Sequence, residues 1–489
     1  MSAVATAESD ERTASDSGQP AEPTPRSGMT ALTSHVQQAL SERPTLLVWL
    51  IDQSASLDSR RSELADLIEA MHTDIHARHE QLKLKMLTSA VISFRDEVEL
   101  LTPEPVAQPE SVAELIRSLK SDESGRELPF AAIREAAETF RDFSPISGRN
   151  KDHHVLFVIF TDERGDDIAQ CMEVGAVCAK YQFRVFCLGS VAPFGREKGF
   201  VTFRFEDGVE KEISVDQGPE SIRLDSMRSP WINDGRISSG FGPFALEFLC
   251  RRTGGAFLPV HDSGHHRFDP ATMQKYAPFG VEIKQLREFE TEVRHNKVKA
   301  ALVMATELTR KAALRPPPMV FNATTDEVFR GKIASAQRAS AILSLRTAEL
   351  RQLLEAYESD RDSLDSPRWQ AAFDLAMGRT LATIVRNSYF ELQLAQMKKS
   401  ALPFKDTSSN TWSLVPAEPP NDNPSGVELT ERTRGILQRV IEEHPGTPFA
   451  FVAQLERDRA FGWRWIESRK DWPPEPLKRS RPRIITGKF

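Results

Sequence analysis

The sequence predicts an α/β fold, a doubly wound and mostly parallel sheet, followed by an all-α region. Three observations predict it. Apolar runs of strand length stand at 45–51, 155–160 and 183–188, and such unbroken runs read as strands buried on both faces of a sheet that helices cover on both sides. Stretches with apolar residues at helical spacing separate these runs, giving the strand, helix, strand order of parallel sheets. From 282 onward the period is helical, with breaks at Pro316-Pro317-Pro318 and at a Pro-, Ser- and Asn-rich stretch, 401–427.

At 489 residues the chain has room for two or three domains, since single cores stop growing at roughly 250–300 residues. An apolar fraction of 40%, a charged fraction of 27% and a net charge of -7 are ordinary for a globular protein and give no electrostatic case for nucleic acid. Cys171, Cys178, Cys187 and Cys250 lie in apolar patterns without a Cys-x-x-Cys pair. They read as reduced core residues, with no zinc or disulfide role. Segment 1–33 is rich in Ala, Ser, Thr, Glu and Pro and is expected to be disordered. It has neither the basic start nor the apolar block of a secretory signal, and no run approaches the ~18 apolar residues of a membrane helix. A cytoplasmic protein without membrane insertion or a nucleic-acid partner is expected.

In order, residues 34–40 form a short helix that Pro44 ends. The strand at 45–51 runs into Asp52-Gln53-Ser54-Ala55-Ser56, and Leu64, Leu67, Ile68, Met71 and Ile75 then mark an amphipathic helix. A hairpin follows, from the alternation at 84–94 and the run Val98, Leu100, Leu101. Two helices, around Val112 to Leu119 and Ala131 to Phe140, flank the turn at 121–126. The strand at 155–160 ends in Thr161-Asp162-Glu163-Arg164-Gly165, and a helix at 167–181 leads to the strand at 183–188. Residues 190–240 break the rhythm as an insertion, with a hairpin turning at Glu206-Asp207-Gly208. A helix at 244–252, closed by Gly254-Gly255, and a strand at 256–260 complete this part. The domain boundaries expected are therefore 44–262 for the α/β part, 282–400 for a helical domain, 401–427 for a linker, 428–470 for a helix pair and 471–489 for a solvated basic tail.

Asp52-x-Ser54-x-Ser56 puts three hard oxygen donors on one loop at a strand's carboxyl end, where ligands of open α/β sheets gather. Such a set suits a small divalent cation. The serines and aspartate could cap the next helix unaided, but capping one helix calls for no aspartate on a second strand, and Asp162 follows the strand at 155–160.

These two strand ends together resemble the metal-ion-dependent adhesion site of von Willebrand factor A-type (vWA) domains. The likeness covers about 44–261. It implies a six-stranded sheet with one antiparallel edge strand, at the 84–101 hairpin, and Mg²⁺ (or Mn²⁺) held by Asp52, Ser54, Ser56 and Asp162. The turns Gln217-Gly218-Pro219-Glu220 and Ser239-Gly240-Phe241-Gly242-Pro243-Phe244 resemble an uncharacterised bacterial subgroup. One loop departs from the pattern, because Gly125-Arg126-Glu127 stands where the family usually has Gly-Gly-Thr. Glu127 then takes the threonine's place as a metal ligand. It adds negative charge, and it fills the coordination position that a partner's acidic side chain takes in adhesion-type domains.

The resemblance implies a non-enzymatic, metal-dependent protein-binding adaptor or scaffold. No Gly-x-Ser-x-Gly elbow, P-loop or Gly-x-Gly-x-x-Gly follows a strand. The alternatives are a metal-dependent hydrolase using Asp52, Glu127, Asp162 and Glu163, and a scaffold whose metal site is vestigial. His72, His76 and His79 at i, i+4 and i+7, and His261, His265 and His266 beside Asp262, read as solvated groups rather than zinc ligands.

Overall fold

The computed structural model describes residues 25–122, 124–146, 149, 152–204, 208–221, 226–232, 237–261, 268–277, 286–420 and 423–473. Helix α1 (Pro25–Glu42) leads to β1 (Thr45–Asp52), α2 (Asp58–Leu82), β2 (Leu87–Phe94), β3 (Val98–Leu100), α3 (Pro109–Ser118), α4 (Pro129–Thr139), β4 (His154–Thr161), α5 (Cys171–Tyr181) and β5 (Arg184–Ser190). A separate hairpin, β6 (Gly199–Arg204) and β7 (Glu210–Val215), precedes α6 (Phe244–Arg252) and β8 (Phe257–His261). The six-stranded sheet has the order β3-β2-β1-β4-β5-β8, parallel throughout except for the edge pair β2 and β3. This is an α/β sheet of the predicted kind.

Strand β1 explains its own unbroken apolar run. Leu46, Val48 and Leu50 pack with Phe130 and Ile133 of α4, Val174 of α5 and Leu246 of α6. Leu47, Trp49 and Ile51 pack on the other face with Leu32 and Val36 of α1, Leu64 and Ile68 of α2 and Val112 of α3. All six side chains are fully buried, each worth about 1.5–3 kcal/mol relative to exposure. No position on this strand faces water, and after Thr45 none carries a polar residue before Asp52.

Residues 25–33, expected to be disordered, form the first half of α1. Residues 1–24 lie outside the described set. Met29, Leu32, Val36 and Leu40 make one buried stripe along α1. Intervening Ser, Thr and Gln dilute that stripe in a composition count, while the helical spacing itself is intact.

The rest of the chain comprises α7 (Pro270–Gln274), α8 (Leu286–His295), α9 (Lys297–Lys311), β9 (Val320–Asn322), α10 (Asp326–Glu355), α11 (Pro367–Lys399), β10 (Thr411–Ala417), α12 (Pro424–Glu443), α13 (Pro448–Asp458) and β11 (Gly462–Ser468). The helical run read from 282 up to Pro316 breaks at Asn296, whose side chain accepts from the N–H groups of Val298 and Lys299 and starts a new helix. Thr325 and Ser366 cap α10 and α11 in the same way. The helical region also holds a three-stranded antiparallel sheet, β11-β10-β9. Stretch 401–427 is therefore no plain linker, because its β10 is the central strand. Trp412 and Leu414 alternate on its buried face, and Phe404 stacks on Trp412 at 4.9 Å between ring centroids. The Pro, Ser and Asn around them obscure that alternation. Likewise the segment 428–470 is a helix pair followed by a strand, β11. The tail from 474 onward lies outside the described residues.

The insertion leaves the sheet after β5 and joins the other core. Phe194, Met227, Trp231, Ile237 and Phe241 belong to one apolar cluster with α9, α11, α12 and α13. Trp231 lies 6.3 Å from Phe390 and 5.0 Å from Trp463, and Phe194 meets Phe449 edge-on at 4.9 Å. The reading of 190–240 as an insertion with a hairpin missed this burial, because the apolar residues are scattered without a period.

Candidate metal centre

The sheet order reverses between β1 and β4, the topological switch point where the carboxyl ends of neighbouring strands open a crevice. Ile51 pairs with Phe160, which sets Asp52 beside Thr161. Thr161 Oγ1 donates to Asp52 Oδ2 at 2.7 Å, and the Ser54 N–H donates to Asp52 Oδ1 at 2.7 Å. Ser54 and Ser56 hydroxyls are 3.2 Å apart, and Ser56 Oγ donates to Asp162 Oδ1 at 3.1 Å. The Asp-x-Ser-x-Ser loop and Asp162 are thus one hydrogen-bonded unit.

Glu127 joins them from a third loop. Carboxylate oxygens of Asp52, Glu127 and Asp162 all lie within 4.8 Å of one another. Their residues are 0%, 6% and 1% exposed, so the charges are screened from water. Ser54 and Ser56 are half-buried and form the open side.

What holds Glu127 in place was not legible as a motif. Asp166 Oδ2 accepts from the Glu127 N–H at 3.1 Å, and the Asp166 N–H donates back to the Glu127 carbonyl at 2.8 Å. Asp167 caps α4 from outside, accepting from the N–H groups of Phe130 and Ala131 at 3.3 and 2.7 Å. Gly165, at φ +81°, lets this loop lie against Pro129. Arg61, 1% exposed, donates to the carbonyls of Asp52 and Ser54 at 3.2 and 2.8 Å and to Asp58 and Ser121. The available signals were an acidic pair directly after a glycine, and two arginines in the first turn of α2, where the helix dipole disfavours cations.

Burial dominates the electrostatics. It raises the Asp52 carboxyl against the opposing hydrogen bonds from Ser54 and Thr161. Burial and the charges of Asp52, Glu163 and Asp162 push Glu127 up to about 12. Asp162 is pushed up to about 6 by burial and by Asp52, and Glu163 up to about 7 by burial and by Asp162. Burial and the acids' mutual repulsion outweigh the positive charge beside them. Arg60 is the neighbouring cation, its Nη1 3.9 Å from Asp162 Oδ2, beyond hydrogen-bond reach.

The residues fit a divalent cation. Glu127 Oε2 and Asp162 Oδ2 are buried and accept no hydrogen bond, and buried carboxylate oxygens without a donor are costly. Two carboxylates, two hydroxyls and a third carboxylate form an all-oxygen set of the hard kind that Mg²⁺ and Mn²⁺ take.

Other candidates separate from this centre. His72 is buried, with Nε2 3.4 Å from Ser89 Oγ, and burial lowers it to about 4. It is a neutral interior group rather than a solvated one. The side chains of His79 and His261, and all of Asp262, His265 and His266, lie outside the described residues. The four cysteines are buried thiols. Asp374, Glu443 and His444 also converge, but Arg361 and Arg439 already occupy the Asp374 carboxylate, at 2.8 and 2.6 Å. Among the described residues no helix is long and apolar enough to cross a membrane.

No family model matches the chain and no curated protein matches it. Among the solved structures similar to part of it are the following two. One is an uncharacterised membrane-spanning protein from Vibrio fischeri, 14% identical, with 44% of this chain and 90% of that chain covered and a TM-score of 0.17. The other is the TFIIH p34 N-terminal domain, 12% identical, with 46% and 94% covered and a TM-score of 0.26. At such scores neither likeness bears on ligand or partner, and the chain's own residues carry the functional reading.

Proposed function

We propose that the chain is a non-enzymatic adaptor whose α/β part is a vWA-like domain binding Mg²⁺ or Mn²⁺, and that it engages a protein partner through the metal-bearing face. The observation that carries the reading is the pair of buried acceptors without donors, Glu127 Oε2 and Asp162 Oδ2, within the Asp52, Glu127 and Asp162 cluster. Asp52, Ser54, Ser56, Glu127 and Asp162 would hold the ion. The bound ion supplies positive charge that offsets three clustered carboxylates, and Thr161, Asp166 and Arg61 hold the ligand loops in register around it.

Burial of all three carboxylates favours coordination over turnover, since a substrate needs access to reacting groups and this cluster is 6% exposed or less. Calorimetry with Mg²⁺ and with Mn²⁺ tests the reading. The wild type should bind and Asp52→Ala should not. Retention of proteins from the native cell by the wild type, compared with Asp52→Ala, tests the partner. Absence of binding by the wild type to either ion would overturn the metal assignment, and phosphate-ester turnover abolished by Asp52→Ala would replace the adaptor with a hydrolase.

A further inference from the structure

The turn at 216–220 has two attachments, one on each part of the chain. At its first end Arg164 Nη2 lies 2.9 Å from Asp216 Oδ2, and the Arg164 N–H donates to the Asp216 carbonyl at 3.1 Å. The Asp216 backbone also favours the charged form of Glu163. Gly218 sits at φ +68°, and a Cβ there would stand 2.9 Å from the Arg164 side chain. Only glycine lets the turn lie so close over that arginine. These contacts fall on the two residues directly after Asp162.

At the other end Glu220 Oε1 accepts from Arg368 Nη2 at 2.8 Å, with the side chains 2% and 3% exposed. Arg368 Nη1 also donates to the Tyr276 carbonyl at 3.0 Å, and the guanidinium lies over the rings of Phe241 and Phe449. Arg368 stands in the first turn of α11, where the helix dipole opposes a cation. Glu220 supplies the charge that makes its burial tolerable.

We propose that the rim of the carboxylate cluster is an intramolecular docking surface, that its occupant is the chain's own helical region delivered by the 216–220 turn, and that a divalent cation tightens this docking. The cation part rests on the metal reading above. Asp216, held 2.9 Å from Arg164, brings a carboxylate of the turn up to the loop that carries Asp162 and Glu163, so like charges oppose each other across this contact. A cation in the cluster cancels that repulsion at short range and in low dielectric. By linkage, whatever the ion adds to docking, docking adds to the affinity for the ion. An external partner at the same rim competes with the turn.

The test uses the full chain, Mg²⁺ alone as the probe, and the variants Glu220→Gln and Arg164→Ala. Hydrogen exchange should show that Mg²⁺ slows amides in 216–220 and in the first turn of α11 by about fivefold or more. Both variants should bind Mg²⁺ about 5- to 10-fold more weakly by calorimetry, within the ordinary range of couplings between sites, and should lose the protection in α11. Arg164 is partly exposed at the rim, so Arg164→Ala carries the test should Glu220→Gln fail to fold. Protection confined to the 52–56, 122–127 and 161–163 loops, with unchanged Mg²⁺ affinity in the variants, would overturn the docking proposal and leave the metal reading standing. No Mg²⁺ binding by the wild type would overturn the metal reading, and the cation coupling with it.

Discussion

Removing divalent cations should make the protein less stable as pH rises from 5 to 8. Asp162 has a folded pKa of about 6 against an ordinary 3.8. An acid raised on folding holds more protons in the folded than in the unfolded state between those two values, so stability falls as pH rises through that window. From pH 5 to pH 8, Asp162 alone accounts for a loss on the order of 1–2 kcal/mol. Glu163 and Glu127, both raised, act in the same direction. For a unit the size of the α/β part this is a fall of roughly 3–6 °C in Tm from Asp162 alone. Saturating Mg²⁺ should reverse the trend, adding about 2.7 kcal/mol at a concentration 100 times Kd. Thermal melts at pH 5, 6, 7 and 8, with chelator and with Mg²⁺, read both effects. A chelated protein whose Tm stays flat or rises over this range, or a Tm that Mg²⁺ leaves unmoved at pH 8, would refute the reasoning.

Arg61→Ala should cost about 2–3 kcal/mol in urea unfolding, because the Asp52 and Ser54 carbonyls lose their buried donor. Thr161→Val keeps the shape beside Asp52 and removes the 2.7 Å bond that orients it; calorimetry should show Mg²⁺ bound about 10-fold more weakly. Glu127→Thr installs the residue usual at this position in the vWA domains the loop resembles and should raise the yield of an external partner in a pull-down at fixed Mg²⁺, and an unchanged yield counts against the view that Glu127 fills the partner's place. In the helical core, Glu456 joins Arg379 and Arg386, all fully buried. Glu456→Ala removes the buried carboxylate that both guanidiniums share and should lower stability by about 3–5 kcal/mol in a denaturant titration.

The α/β sheet was legible because its strands are buried on both faces, so that 45–51 and 155–160 carry an uninterrupted apolar signal. Asp52, Ser54, Ser56 and Asp162 were legible because chemistry-bearing residues at the ends of such runs stand out against them. Glu127 was placed only through the loop order of the domains it resembles, and the structure brings it to the other carboxylates. The supports were not legible. Asp166, Asp167 and Arg61 act through backbone groups that only the tertiary fold brings near them. The strand β10 escaped for a different reason: two buried residues, Trp412 and Leu414, decide its place among many turn-forming neighbours. Helix α1 shows the converse, a true periodicity concealed by averaged composition.

Threading the insertion into the helical core also sets the order in which the chain can assemble. Trp231 meets Trp463, its ring partner about 230 residues later, which at ribosomal speeds means an interval of roughly 10–50 s. During that interval the strands β1, β2, β4 and β5 have all been made, while Phe194, Met227 and Trp231 still lack α11, α13 and β11. A nascent chain therefore carries an aromatic segment on an otherwise finished sheet until its final strand emerges. Loss of the last elements through a premature stop would leave those rings exposed for good, a natural target for chaperones and quality-control proteases.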